Sequence, residues 1–185
     1  MDKQVALDTA LASATDGGEA FRVPLGLAYS DWYRTACRLR RTARKAVGVL
    51  GVGGGVDATE VALCLAPALL ECAGAPVAVL LNLEEHHELG LANAIESNVT
   101  VMEAPGWPPD IQSIAQAVAS LRSRHAHVLV PLPGVELDGD PIPLAEFLEG
   151  VMLVGRVGKL RERDLLRLRD KIDRDKQLGV LLLDG

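Results

Sequence analysis

Aromatic side chains are scarce in this sequence: they make up 3% of 185 residues, whereas hydrophobic residues make up 49%. The core must therefore be built from Ala, Val and Leu. The three cysteines, Cys37, Cys64 and Cys72, show no paired spacing, which argues against a disulfide scaffold and fits a reducing cytoplasm. No apolar run reaches the roughly 18 residues of a membrane span, and the polar N-terminal stretch is unlike a secretory signal. These absences favour one globular cytoplasmic domain.

Lysine is also rare, and its distribution is uneven. There are five lysines in the chain, and none lies between Lys45 and Lys159. Residues 46–155 carry fourteen Asp and Glu against two arginines. The flanking segments 31–45 and 156–176 carry six and nine cations, respectively. The middle of the chain is therefore acidic and without lysine, between two basic segments.

Short apolar runs alternate with helical segments along the chain. Because the runs are apolar throughout, they indicate an α/β protein whose mostly parallel sheet is covered by helices on both faces. Pro67 is expected to kink the second helix. Residues 1–28 are predicted to be a flexible or loosely docked segment, and 29–185 to be the domain. Strands are predicted at 46–52, 76–82, 99–103, 126–131, 150–156 and 178–183. Helices are predicted at 30–45, 58–73, 111–123 and about 160–175, with a helix or turn at 88–95 and a helical turn at 144–148.

A glycine-rich turn joins the first predicted strand to the second helix, in the sequence GVLGVGGGVDATEVALCLA. This arrangement can present backbone N–H groups to a phosphate. However, Asp57 and Glu60 put negative charge where a phosphate would lie, and together they read as a capping box that satisfies the helix N-terminus internally. The glycines alone are equally consistent with an ordinary strand-to-helix turn.

The loop resembles the P-loop of MinD/ParA-type ATPases, and specifically that of bacterial tyrosine kinases, in which a Lys-Gly-Gly-Val-Gly-Lys-Thr-Thr-like run precedes a Val-Ala-Leu-Asn-Leu-Ala-like helix. Matching residues stand at Gly54, Gly55, Val56 and Thr59. Asp57 replaces a glycine, Ala58 the essential lysine and Glu60 the second hydroxyl residue. The resemblance therefore implies a degenerate phosphate loop, formed by Gly53, Gly54, Gly55, Val56, Asp57, Ala58 and Thr59.

The resemblance extends over residues 29–185. Asn82 and Glu84 stand where the family has its second Walker motif, and Pro131 stands at the Walker B aspartate. The late Arg-x-Gly-Lys turn, ending in Lys159, is kept. The implied fold is P-loop NTPase-like, with the Mg²⁺ positions degenerate. We therefore expect no catalytic residue, no bound cofactor and no metal. The acidic and His-containing run at 84–88 is read as a solvated loop.

The basic helix resembles the family's Glu-x-x-Arg-x-x-Arg helix, which mediates ring assembly. Asp31 and Arg34 match its first two positions, while Cys37 replaces the third and Arg38 lies one step further on. Aromatic residues beside arginines suit interface anchors. The predicted interface consists of Asp31, Trp32, Tyr33, Arg34, Arg38 and Arg41. A solvated face or a surface for an anionic polymer are the alternatives, although the acidic middle disfavours nucleic acid.

These expectations define a non-catalytic, kinase-like scaffold or regulatory protein. The resemblance implies a role in bacterial exopolysaccharide or cell-surface polysaccharide synthesis or export. Expected partners are the chain itself, an active homologue, or a membrane polysaccharide co-polymerase or synthase. The expected location is cytoplasmic, or peripheral at the inner membrane through a partner. Two alternatives remain open: an ATPase or kinase with a non-standard lysine such as Lys159, and a ParA-like binder of nucleic acid or membrane surfaces.

Overall fold

The computed structural model describes residues 28–81, 88–104, 111–132 and 142–183. The expectations for residues 1–27, Asn82 and Glu84 fall outside these ranges. The described helices are α1 (Tyr29–Arg41), α2 (Ala58–Ala73), α3 (Glu88–Glu96), α4 (Ile111–Arg122), α5 (Ile142–Ala145) and α6 (Glu162–Lys171), with a 3-10 turn at Arg174–Lys176. The strands are β1 (Ala46–Val52), β2 (Val77–Leu81), β3 (Thr100–Glu103), β4 (His127–Leu132), β5 (Gly150–Arg156) and β6 (Gln177–Leu183).

The six strands form one sheet in the order β3-β2-β4-β1-β5-β6, and every neighbouring pair is parallel. All residues of β1 are buried, as expected for a central strand that has helices over both of its faces. In register, Val49 lies beside Pro131 of β4 and Met152 of β5. The α/β prediction with a parallel sheet is confirmed.

Two apolar layers lie on opposite faces of the sheet. On one face α1, α2 and α3 pack against alternate strand residues such as Val47 and Val49. On the other face α4, α5 and α6 pack against the intervening residues, such as Ala46 and Leu50. This alternation follows from the two-residue period of a strand, whose successive side chains point to opposite faces.

Helix α2 has the bounds predicted from the sequence. It runs unbroken from Ala58 to Ala73 with Pro67 inside it, and ten of its sixteen residues are buried. Gly74 ends the helix in the left-handed conformation, with φ of 60°, which a glycine adopts without the steric cost of a side chain.

Two helices, α1 and α6, end four residues before their predicted ends, and α5 lies at Ile142–Ala145 instead of 144–148. Helix α1 ends at Arg41 instead of residue 45, because Ala43 takes a left-handed conformation with φ of 55° and the chain then turns into β1. Helix α6 ends at Lys171, because Ile172 becomes extended and packs into the core. In the ranges that the structure describes, no helix has the length and apolar character needed to cross a membrane.

Candidate functional site

The glycine loop, residues 53–57, leaves the carboxyl end of β1 and leads directly into α2. In the sheet, β1 lies between β4 and β5. Ligands of open parallel sheets bind at this edge, just beyond the carboxyl ends of the central strands. The loop is therefore placed where a nucleotide-binding protein of this architecture would hold its phosphates.

Two glycines of the loop have backbone conformations that other residues rarely adopt. Gly53 has φ of 76° and Gly55 has φ of 84°. A Cβ atom on Gly53 would lie 3.3 Å from the carbonyl oxygen of Lys159, and one on Gly55 would lie 3.2 Å from the Nζ atom of Lys159. Both glycines are thus favoured by their backbone conformation, and Gly53 is also crowded by the backbone of the turn that follows β5.

Asp57 caps helix α2 with its own side chain. Its Oδ1 atom accepts hydrogen bonds from the backbone N–H groups of Thr59, at 2.8 Å, and Glu60, at 3.2 Å. These N–H groups belong to the helix N-terminus, which otherwise attracts anions. The cap predicted from the spacing of Asp57 and Glu60 is therefore confirmed for Asp57, whose carboxylate lies where an incoming phosphate would seek donors.

Lys159 brings a positive charge to the loop from another part of the chain. It lies in the turn after β5, and its Nζ atom approaches Gly55 as described above. Position 58, where the P-loop pattern has lysine, is an alanine that is only 9% exposed. At the end of β5, just before this turn, the buried Nε atom of Arg156 has no hydrogen-bond partner within the described part of the chain. Lys159, named as a non-standard lysine from the sequence, does reach the loop.

The candidate Mg²⁺ positions are only partly described. Thr59 is half-buried in the first turn of α2, and Pro131, half-buried near the end of β4, has no side-chain oxygen to offer a metal. Asn82 and Glu84 lie outside the described residues. Among the residues that are described, no group of three or more His, Cys, Asp or Glu side chains is placed to hold a metal ion.

The predicted interface residues of α1 lie on two different sides of that helix. Arg34, Arg38 and Arg41 are exposed, and their spacing of four and three positions aligns them on one helix face. We call these three residues the arginine row. A carboxylate oxygen of Asp31 lies 3.3 Å from Arg34 at one end of the row. Tyr33 is also exposed.

Trp32 contradicts the prediction of an exposed anchor. It is 0% exposed and belongs to the core on the α2 side of the sheet. Trp32, Ala36 and Leu39 are the buried residues of α1, at intervals of four and three. Because this is the spacing of one helix face, it could have placed Trp32 in the core from the sequence alone. Trp32 therefore holds α1 on the domain and is not available to a partner.

One pair of thiol side chains in contact was not predicted from the sequence. The Sγ atoms of Cys37 and Cys72 lie 2.7 Å apart, although the residues are separated by 35 positions. The sequence held no signal for this pair, because the contact depends on how α1 packs against α2. A nearby contact joins the same two helices, since the hydroxyl group of Tyr29 donates a hydrogen bond to Glu71. Burial, followed by this bond, raises the pKa of Tyr29 to about 12.

No protein-family profile and no curated protein matches the chain. Solved structures do resemble it. The VpsO kinase domain has a TM-score of 0.64 at 16% identity, with 100% of this chain and 98% of that chain covered. The BceF tyrosine kinase domain has a TM-score of 0.63 at 17% identity, with 99% of this chain and 89% of that chain covered. The chimerical protein CapA2B2 has a TM-score of 0.64 at 16% identity, with 95% of this chain and 89% of that chain covered.

A more distant likeness extends beyond kinase domains. The 54 kDa protein of the signal recognition particle from Aeropyrum pernix K1, solved with GDP, has a TM-score of 0.56 at 16% identity, with 96% of this chain and 47% of that chain covered. At these identities the likeness concerns the fold. The chain thus has a P-loop NTPase-like α/β fold of the kind found in bacterial tyrosine kinase domains, as the resemblance of its motifs predicted.

Proposed function

We propose that this chain is a non-catalytic, kinase-like scaffold or regulatory protein that acts by binding other proteins. The observation that carries the proposal is the Asp57 cap. The fold provides the place for a nucleotide, but the helix N-terminus there is satisfied by the chain's own carboxylate. We expect neither ATP hydrolysis nor phosphoryl transfer.

The repulsion between a phosphate and the Asp57 carboxylate has a definite size. Two unit charges of the same sign, ~4–5 Å apart at an effective dielectric constant of about 20, repel by a few kcal/mol. The family's phosphate loop offers a lysine to the negative charge of the phosphates, whereas position 58 here is Ala. Weak binding of nucleotide is therefore expected, since the attraction of a lysine at position 58 is missing and the repulsion by Asp57 is added.

The proposed binding surface is the arginine row on α1. Its three guanidinium groups are exposed, and the buried Trp32, Ala36 and Leu39 fix the helix that carries them. Rigid presentation lowers the entropy lost on binding. Residues 46–155 are acidic, so the row of one copy can face the acidic surface of another. Such a heterologous contact closes into a ring or continues as a filament.

The polysaccharide setting rests on the resemblance of the sequence motifs to bacterial tyrosine kinases. The likeness of the fold to the VpsO kinase domain and the BceF tyrosine kinase domain supports a kinase-like protein. Within that setting the partners we propose are another copy of this chain, an active homologue, or a membrane polysaccharide co-polymerase or synthase. Such a partner would hold the protein at the inner membrane.

Titration calorimetry with Mg-ATP tests the loss of nucleotide chemistry. The wild type should show no micromolar binding, while the double variant Asp57→Gly, Ala58→Lys should bind measurably because it removes the cap and restores the cation. The single variant Ala58→Lys separates the two effects. Micromolar binding by the wild type that Ala58→Lys does not improve would refute the proposal.

Light scattering tests the proposed surface. The double variant Arg34→Glu, Arg38→Glu should lower the molar mass of any assembly, or abolish capture of a kinase-domain homologue. The matched control is Arg163→Glu, Arg167→Glu, which reverses two exposed charges at the same spacing on α6. An equal effect of both double variants would show that net charge matters and that the arginine row does not.

A second candidate function is supported by the position of Lys159. Its ammonium group at Gly55 could take the place of the missing P-loop lysine in a non-standard ATPase or kinase. In that case the protein would release phosphate from Mg-ATP, and Lys159→Ala would abolish the release. Lys171→Ala, which removes an exposed lysine at the end of α6, is the control and should keep the activity.

A further inference from the structure

The contact between Cys37 and Cys72 joins two helices through their sulfur atoms. Cys37 lies in the middle of α1 and Cys72 in the last turn of α2. Their Sγ atoms are 2.7 Å apart, whereas a disulfide bond is about 2.05 Å long. Bond formation thus requires a relative movement of less than an ångström. Both cysteines are free thiols in this structure.

The two thiols have different surroundings. Cys37 is partly exposed, while Cys72 is only 8% exposed. Burial raises the pKa of the Cys72 thiol, and its hydrogen bond with Cys37 adds to that effect. The guanidinium group of Arg40, which donates a hydrogen bond to the Cys72 carbonyl oxygen at 2.9 Å, favours the thiolate. The exposed thiol is the one a reagent reaches first, and the buried thiol lies beside it.

We propose that Cys37 and Cys72 are a redox modification site, forming a reversible disulfide that clamps α1 onto α2. The oxidant is a low-molecular-weight disulfide such as oxidised glutathione. The Cys37 thiolate attacks one glutathione sulfur and releases one reduced glutathione. The Cys72 thiolate then attacks the Cys37 sulfur of the mixed disulfide and releases the second reduced glutathione. Two protein thiols thereby lose two electrons and two protons, which the oxidant accepts.

The disulfide would fix a helix that is otherwise held only by noncovalent contacts. Helix α1 is attached through its buried face and through the hydrogen bonds from Tyr29 and Arg40 to α2. A covalent bond across this contact prevents α1 from separating from the domain. The thiols also suit a reducing compartment, where disulfides are transient and act as sensors. This inference does not depend on the proposed scaffold function.

The test is oxidation of the purified wild-type chain with oxidised glutathione, followed by thiol counting after unfolding and by peptide mapping. We expect two of the three thiols to disappear, a cross-linked pair of peptides containing Cys37 and Cys72, and full recovery of thiols with dithiothreitol. The thermal midpoint should rise by about 5–15 °C on oxidation. Cys64→Ser, which removes the third thiol, should behave as the wild type does.

Two variants complete the test. Cys72→Ser should stop the reaction at a stable glutathione adduct on Cys37. Cys37→Ser should react with oxidised glutathione more slowly than the wild type does, because the remaining Cys72 thiol is buried. A wild-type chain that keeps a glutathione adduct on Cys37, cross-links through Cys64, or keeps all of its thiols would overturn the proposal. Because the mapping is done on the wild type, it gives a decisive result even if a serine variant folds poorly.

Discussion

Replacement of Asp57 by alanine tests the most consequential contact of the glycine loop. The Asp57 backbone is extended, with φ of −97° and ψ of 107°, a conformation that alanine adopts without strain. The substitution therefore changes the cap and leaves the local backbone geometry accessible. What is lost is the carboxylate that accepts the hydrogen bonds of Thr59 and Glu60.

The expected cost follows from the contacts. Loss of an N-cap carboxylate typically costs about 0.5–2 kcal/mol, and the lost interaction of a negative charge with the helix dipole adds ~0.3–1 kcal/mol when that charge is only partly screened. Because both hydrogen bonds of Asp57 are well formed, we expect a decrease of about 1–2 kcal/mol in the free energy of unfolding. For a chain of this length, that decrease lowers the thermal midpoint by about 3–6 °C.

Urea unfolding followed by circular dichroism measures this difference. The control is Asp31→Ala, which removes an acidic residue from the first turn of α1, where it pairs with the exposed Arg34 and caps no N–H group in the contacts described. We expect the control to change stability by less than ~0.5 kcal/mol. If Asp57→Ala were as mild as the control, the carboxylate would not be satisfying the helix, and the argument that it blocks an anion would fail with it.

Two further predictions concern the buried sheet. Gly48→Ala should lower the free energy of unfolding, measured in urea, by about 1–3 kcal/mol, because its Cβ would lie 2.8 Å from the side chains of the buried Leu132 and Leu148. No loss of stability would show that these two leucines move aside easily. Burial lowers the pKa of His127 below its ordinary value of 6.5, despite its hydrogen bond with the Arg44 carbonyl oxygen. The unfolded chain therefore binds the proton more readily, so the stability of the wild type relative to His127→Gln should fall as the pH is lowered through 6.5. A difference that stays constant with pH would contradict this.

The sequence predicted the elements nearest the site best. Strands β1 and β5 and helix α2 have the predicted bounds, because each is a long apolar run that ends at glycines or charged residues. The errors at the ends of α1 and α6 have a common cause. The charged residues at both ends are compatible with longer helices. Helix α1 ends where the chain turns into β1, and α6 ends where Ile172 becomes buried.

The side-chain arrangement of the site was only partly predictable. The Asp57 cap depends on residues two and three positions away, so the local spacing of the sequence was sufficient to predict it. The approach of Lys159 to Gly55 joins residues from two strand ends, and the contact of Cys37 with Cys72 joins two helices. Such contacts are set by tertiary packing. Trp32 lies beside arginines in the sequence, as an interface residue often does, but its spacing with Ala36 and Leu39 places it on the buried face of α1.

The turn after β5 lies close to the glycine loop, and this gives the loop glycines a structural role that is separate from nucleotide binding. Gly53 and Gly55 both have left-handed backbone conformations, and a Cβ atom on Gly53 would crowd the Lys159 carbonyl oxygen, so substitution is opposed even when no nucleotide is bound. The glycine-rich turn of this chain therefore follows from its own backbone conformation and from the neighbouring turn, so the glycines by themselves do not mark a nucleotide site.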